Sequence, residues 1–133
     1  ADGQDCCAGI EATHASCYRA QAAISTRELA KRLDLKPHQF SISFQSRLGK
    51  DRWLEPATDH TIETLGKNGC AHLAVLCPSF VADCLETLEE IADAAKSIFT
   101  RAGGDHFTYV PALNAEPVWV EALATMISAP EPS

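Results

Sequence analysis

A chain of 133 residues, 46% hydrophobic and 22% charged, can bury one core and is too short to promise two. A net charge of −7 argues against a nucleic-acid partner, whose phosphates demand clustered Lys and Arg, and leaves cations as partners instead. No run of about 18 apolar residues occurs and Ala1–Asp5 lacks the charged-then-apolar layout of a signal peptide, so a cytoplasmic protein with six reduced cysteines is expected.

Residues 1–17 hold Gly3, Gly9, Cys6, Cys7 and Cys17 with neither helical nor strand periodicity, which predicts a cysteine-rich loop or insertion. From Tyr18 to Leu35, Ala22, Leu29 and Leu33 recur at helical spacing, and Arg27, Glu28, Lys31 and Arg32 point away. Pro37 breaks that helix, and Phe40–Phe44 alternates apolar with small polar residues as a short strand would. The stretch from Gln45 to Pro56 is polar and irregular, Thr58–Lys67 reads as a helix, and Gly69 stops it. Ala71–Cys77 is an almost continuous apolar run, as in a strand covered on both faces. Beyond Pro78 come a helix from Asp83 to Ala94, the pair Gly103-Gly104, a strand over Phe107–Val110 and a helix from Glu116 to Met126; residues 128–133 form a frayed tail.

Such alternation predicts an α/β fold, a parallel sheet with crossover helices on both faces. Three strands are few for this class, so the first strand or strands are expected before residue 1. In open parallel sheets, ligands gather where strand C-termini meet helix N-termini, which directs attention to residues 77–83. At about 100° per residue, Asp83, Glu86, Glu90 and Asp93 fall within an arc of roughly 80°, opposite Leu85, Leu88, Ile91, Ala92 and Ala95. A solvated face explains such acids, because the helix dipole favours them near an N-terminus. Stacked carboxylates at Glu86 and Glu90 can also hold a hard divalent cation or accept protons. Spacing leaves both readings open.

The segment Cys77-Pro78-Ser79-Phe80-Val81-Ala82-Asp83-Cys84-Leu85-Glu86-Thr87-Leu88-Glu89-Glu90-Ile91 resembles bacterial ferrochelatases almost residue for residue. Ser43–Gly49 with Trp53-Leu54, and Gly103-Gly104 through Asn114 into Trp119–Leu123, agree with the same family, and the likeness covers residues 18–127. The resemblance implies a three-layer, Rossmann-like chelatase domain and, for the parent protein, insertion of ferrous iron into a porphyrin in heme biosynthesis. It implies that Glu86 is catalytic, working opposite a histidine, and that Glu86 and Glu90 handle the metal. It also implies that Gln45, Ser46, Arg47, Trp53, Phe80 and Asp83 line the porphyrin. The reaction removes two pyrrole protons while a desolvated ferrous ion enters, which calls for a base and for oxygen ligands that release the metal.

The family's histidine motif, of the Ser-x-His-x-x-Pro kind, does not occur in these residues, and His14, His38, His60, His72 and His106 have no such context. Together with a first residue that is not Met, this gives the expectation of a C-terminal part of a two-lobed enzyme, inactive by itself and partnered by the missing N-terminal lobe. Some family members ligate a two-iron iron–sulfur cluster through a cysteine-rich insertion. The resemblance extends that expectation to Cys6, Cys7 and Cys17, with three free thiols as the alternative. Cys70, Cys77 and Cys84 read as packing residues. A non-catalytic module binding heme or an iron–sulfur cluster, and a chelatase for another metal and tetrapyrrole, are the competing functions. Protoporphyrin and coproporphyrin stay open as substrates, and the family allows peripheral membrane contact.

Overall fold

The structure is a computed structural model, described here for residues 17–45 and 53–129. The chain forms two compact units, Ala1–Thr58 and Asp59–Ser133. In the first, α1 spans Tyr18–Arg32 and buries Ala20, Ala23 and Ala30. Alanines suit that role: they are the best helix formers and let a neighbour approach closely. Lys31 and Arg32 sit in the last turn, where the dipole favours cations.

The end of α1 is closed by the backbone. Asp34 takes the left-handed conformation at φ 52°, and the Leu35 and Asp34 amides donate back to the Ala30 and Lys31 carbonyls at 2.9 and 3.2 Å. Two helices of the second unit close in the same pattern, with glycine in the strained place. After α2 (Thr58–Lys67), Gly69 has φ 83° and Cys70 donates to the Leu65 carbonyl. After α3 (Lys96–Arg101), Gly103 has φ 107° and Gly104 donates to the Phe99 carbonyl.

The expected strand at Phe40–Phe44 does not form. A 3₁₀ turn at Pro37–Gln39 precedes it, and the extended segment makes a single parallel bridge, Phe44 with Ala57, instead of joining a ladder. Phe44 is buried and its ring centroid lies 6.3 Å from that of Tyr18, so the alternating pattern serves side-chain packing with almost no strand pairing.

The second unit is α/β, as the alternation predicts. Strands β1 (His72–Leu76) and β2 (His106–Val110) pair in parallel, with Leu73 opposite Phe107 and Val75 opposite Tyr109. Those inward side chains, with Cys77, pack on a core of Ile62, Ile91, Ala95 and Phe99. Each fully buried Ile or Phe contributes about 1.5–3 kcal/mol. The other sheet face is open, against the expectation of a strand covered on both sides. His72, Ala74 and Leu76 are exposed, and the His72 and His106 rings stack in register with centroids 4.6 Å apart.

Between the strands runs a π-helix over Glu86–Ala95, continued by α3. Bonding i→i+5 widens the turn, so residues four and five apart share a face. Thr87, Ile91 and Ala95, at intervals of four, are therefore the buried ones, whereas Leu85 and Leu88 are 68% and 48% exposed. This corrects the wheel drawn at 100° per residue, which put both leucines in the core.

Candidate functional site

Beyond β1 the chain leaves the sheet through a turn in which the Phe80 amide donates to the Cys77 carbonyl at 2.9 Å. The parallel exit from β2 runs beside it, with the Asn114 amide donating to the Val81 carbonyl at 2.9 Å. Two adjacent strand C-termini thus deliver two loops to one place, where parallel sheets collect function.

Asp83 joins the loops. Its Oδ1 accepts the Tyr109 hydroxyl and, at 3.2 Å, the Ala112 amide; its Oδ2 accepts Asn114 Nδ2 at 2.8 Å. Asn114 Oδ1 in turn accepts the Asp83 backbone amide at 2.8 Å. The fully buried Thr87 completes the cluster: its Oγ1 accepts the Cys84 amide at 3.0 Å and lies 3.1 Å from both Asp83 Oδ1 and the Cys84 carbonyl. Asn114 itself sits at φ 50°, a left-handed conformation that asparagine tolerates better than most residues.

These donors stabilise charge on Asp83. The Asn114 amide, then the Tyr109 hydroxyl, hold its carboxyl down at about 2. Burial, then the neighbouring Asp83 carboxylate, pushes the Tyr109 phenol up. Glu86, half-buried at the first turn of the π-helix, is held below the usual carboxylate range by the Cys84 thiol and then by its own backbone amide. Burial, then the charge of Asp83, raises the Cys77 thiol to about 11, which suits the packing role expected of it.

Glu86 and Glu90 are four residues apart on the wide helix, so they stack on one face, and Glu90 is exposed. The four-acid ladder does not survive intact. Asp83 precedes the helix and is turned into the loop cluster, and Asp93, seven residues from Glu86, no longer falls on the same face when the turn is wide. Two carboxylates can ligate a passing ion with oxygen, or accept protons, but among the described residues no three His, Cys, Asp or Glu side chains gather as a metal centre.

The other sequence-predicted residues are distributed as follows. Phe80 is half-buried in the turn after β1. Gln45 and Trp53 belong to the first unit, where the Trp53 indole donates to the Gln45 carbonyl at 3.0 Å and keeps its ring 43% exposed. Ser46, Arg47, Cys6 and Cys7 lie outside the described residues, and Cys17 is a free, half-buried thiol just before α1. Thr87, Tyr109 and Asn114 escaped sequence reasoning as members of the site. A Thr on the core side of a helix and an Asn in a turn between two prolines were the available signals.

A family model described as Ferrochelatase matches residues 8–130. A ferrochelatase of Opitutus terrae is 50% identical over 123 residues, 92% of this chain and 36% of that protein. A ferrochelatase of Bdellovibrio bacteriovorus is 47% identical over 124 residues, covering 93% and 37%, and one of Ectopseudomonas mendocina is 48% identical over 125 residues, with the same coverage. The chain therefore spans little more than a third of the length of the curated relatives it matches.

Proposed function

This chain belongs to the ferrochelatase family, and from that premise we propose that it supplies the carboxylate wall of an enzyme inserting ferrous iron into a porphyrin in heme biosynthesis. The observation that carries the reading is the placement of Glu86: a carboxylate kept ionised at the start of a π-helix, beside a strand C-terminus, with Glu90 on the same face. In this reading Glu86 faces the macrocycle centre and takes a pyrrole proton as the metal enters. Glu90, exposed one turn further on, passes iron inward or protons outward. Oxygen ligands suit the task because they hold a ferrous ion without trapping it as thiolates would.

Substituting Glu86→Gln in a full-length protein carrying this chain keeps the side chain's shape and removes its charge. Iron insertion at saturating porphyrin is expected to fall by about 100-fold or more, within the usual range for a lost proton acceptor. An unchanged rate would remove Glu86 from the mechanism.

The finer readings have separate tests. A two-iron cluster takes four thiolates, and residues 1–17 offer three, Cys6, Cys7 and Cys17, so that segment does not complete a cluster and no step depends on one. A cluster with a fourth ligand from outside the segment would show as absorption between about 400 and 600 nm in anaerobically purified protein; a flat spectrum removes it. Cytoplasmic location with peripheral membrane contact is tested by fractionating cells with and without a high-salt wash. Among the described residues no helix is long and apolar enough to cross a membrane.

A further inference from the structure

Asp83 has little left to offer a ligand. An ionised carboxylate has about four acceptor sites. Tyr109, Ala112 and Asn114 donate into three of them, and the Thr87 hydroxyl stands 3.1 Å from Oδ1. The backbone of Asp83 is engaged as well, since its amide is taken by Asn114 Oδ1. Asn114 also donates through Nδ2 to the Ala112 carbonyl at 3.1 Å, so the loop after β2 is folded around the same side chain.

This cluster sits where the π-helix most needs outside support. Leu85 before it is already helical, the Cys84 carbonyl takes the Thr87 and Leu88 amides at 3.1 and 2.9 Å, and the Cys84 amide goes to Thr87 Oγ1 at 3.0 Å, so the turn is tied to the cluster through Cys84 and Thr87. The first amides of any helix lack intrahelical partners, and π geometry is rarely sustained without help from its surroundings. Thr87, in the first turn and next to Glu86, is the only member of that turn in contact with Asp83 among the hydrogen bonds described. A displacement of Asp83 would therefore be transmitted through Thr87 to the residue beside it.

We propose that Asp83, Tyr109 and Asn114 form a positioning set, which fixes the first turn of the π-helix and thereby the direction of the Glu86 carboxylate, and that Asp83 itself ligates neither iron nor porphyrin. The kinetic part of this inference rests on the iron-insertion reading above; the structural part does not. The anionic Asp83 is the acceptor around which donors from β2 (Tyr109) and from the loop after it (Ala112 and Asn114) are arranged, with the Thr87 hydroxyl of the π-helix beside them, and its charge lies near a helix N-terminus, where it is favoured. An amide in its place would turn a donor toward either Asn114 or the Tyr109 and Ala112 pair.

Three variants in a full-length protein carrying this chain test the idea: Asp83→Asn, Tyr109→Phe, and the exchange Asp83→Asn with Asn114→Asp. The exchange restores a donor facing an acceptor between the two positions while moving the charge. For Asp83→Asn, kcat for iron insertion should fall about tenfold or more with KM for iron and porphyrin changed less than about twofold, and Tyr109→Phe should fall in between. Amide hydrogen exchange over residues 86–91 should quicken in Asp83→Asn relative to α2. The exchanged pair should recover both readouts. A raised KM at unchanged kcat, unaltered exchange at residues 86–91, or failure of the pair to recover would each overturn the proposal. If Asp83→Asn does not fold, recovery of folding and of protection by the exchanged pair supports it, and a pair that also fails to fold overturns it. A wild-type protein without iron insertion would sink the functional reading alone, because the exchange measurements still decide whether the set positions the helix.

Discussion

The ring of Phe99 occupies the space a side chain on Gly104 would need: a Cβ there would come within 2.2 Å of Phe99 Cε1 and 2.3 Å of Cζ. Phe99 is wholly buried and anchors the core under β2, with its ring 6.0 Å from that of Phe107. Gly104→Ala should therefore destabilise the protein by about 1–3 kcal/mol through overpacking, and Phe99→Ala by about 3–5 kcal/mol through the cavity it leaves. Combined, the two should cost less than their sum, because the added methyl fills part of that cavity. Denaturant unfolding of the three variants checks this; strict additivity would contradict the shared space.

Gly69 makes the opposite case. A Cβ there would meet nothing within 4 Å, yet the residue holds φ 83° to close α2. Gly69→Ala should cost about 1 kcal/mol from backbone conformation alone. Asp34 performs the same closure of α1 with a side chain at φ 52°, so Asp34→Gly should stabilise by up to about 1 kcal/mol. Thermal unfolding that moves both variants in the same direction would refute the conformational account.

Acid should act through Asp83. Its carboxyl lies at about 2 in the folded protein against an ordinary 3.8, so the folded state gains stability from its ionised form. That gain is fully present above about pH 4, and it is lost as pH falls through the folded value near 2. Unfolding midpoints measured from pH 5 down to pH 2 should decline less steeply for Asp83→Asn than for the parent protein. Parallel declines would mean that other carboxylates control acid unfolding.

Periodicity and punctuation in the sequence located most elements. Thr58–Lys67 is helical over the span expected, the apolar runs around Leu73 and Phe107 became strands, and Gly69 ended α2 because a left-handed closure admits few other residues; the helix expected to stop at Ala94 instead runs on through α3 to Arg101, where Gly103 closes it. These are local effects, dictated by each residue and its near neighbours. The family resemblance, carried by Cys77–Ile91, was likewise visible in the order of residues alone.

Phe40–Phe44 shows where local pattern stops. Alternation makes a segment able to pair as a strand, but a ladder needs a neighbour, and this segment meets Ala57 at one bridge. The π-helix shows it again. A wheel drawn for α geometry sent Leu85 and Leu88 inward; the wider turn exposes them and buries Thr87, and no composition rule distinguishes the two periods over ten residues. The sequence by itself determined the α/β order, the stop of α2 at Gly69 and the acids at Glu86 and Glu90. Only the tertiary structure decided that Asp83 belongs to Tyr109 and Asn114, 26 and 31 residues away, because hydrogen bonds between loops depend on which strand ends the sheet brings side by side.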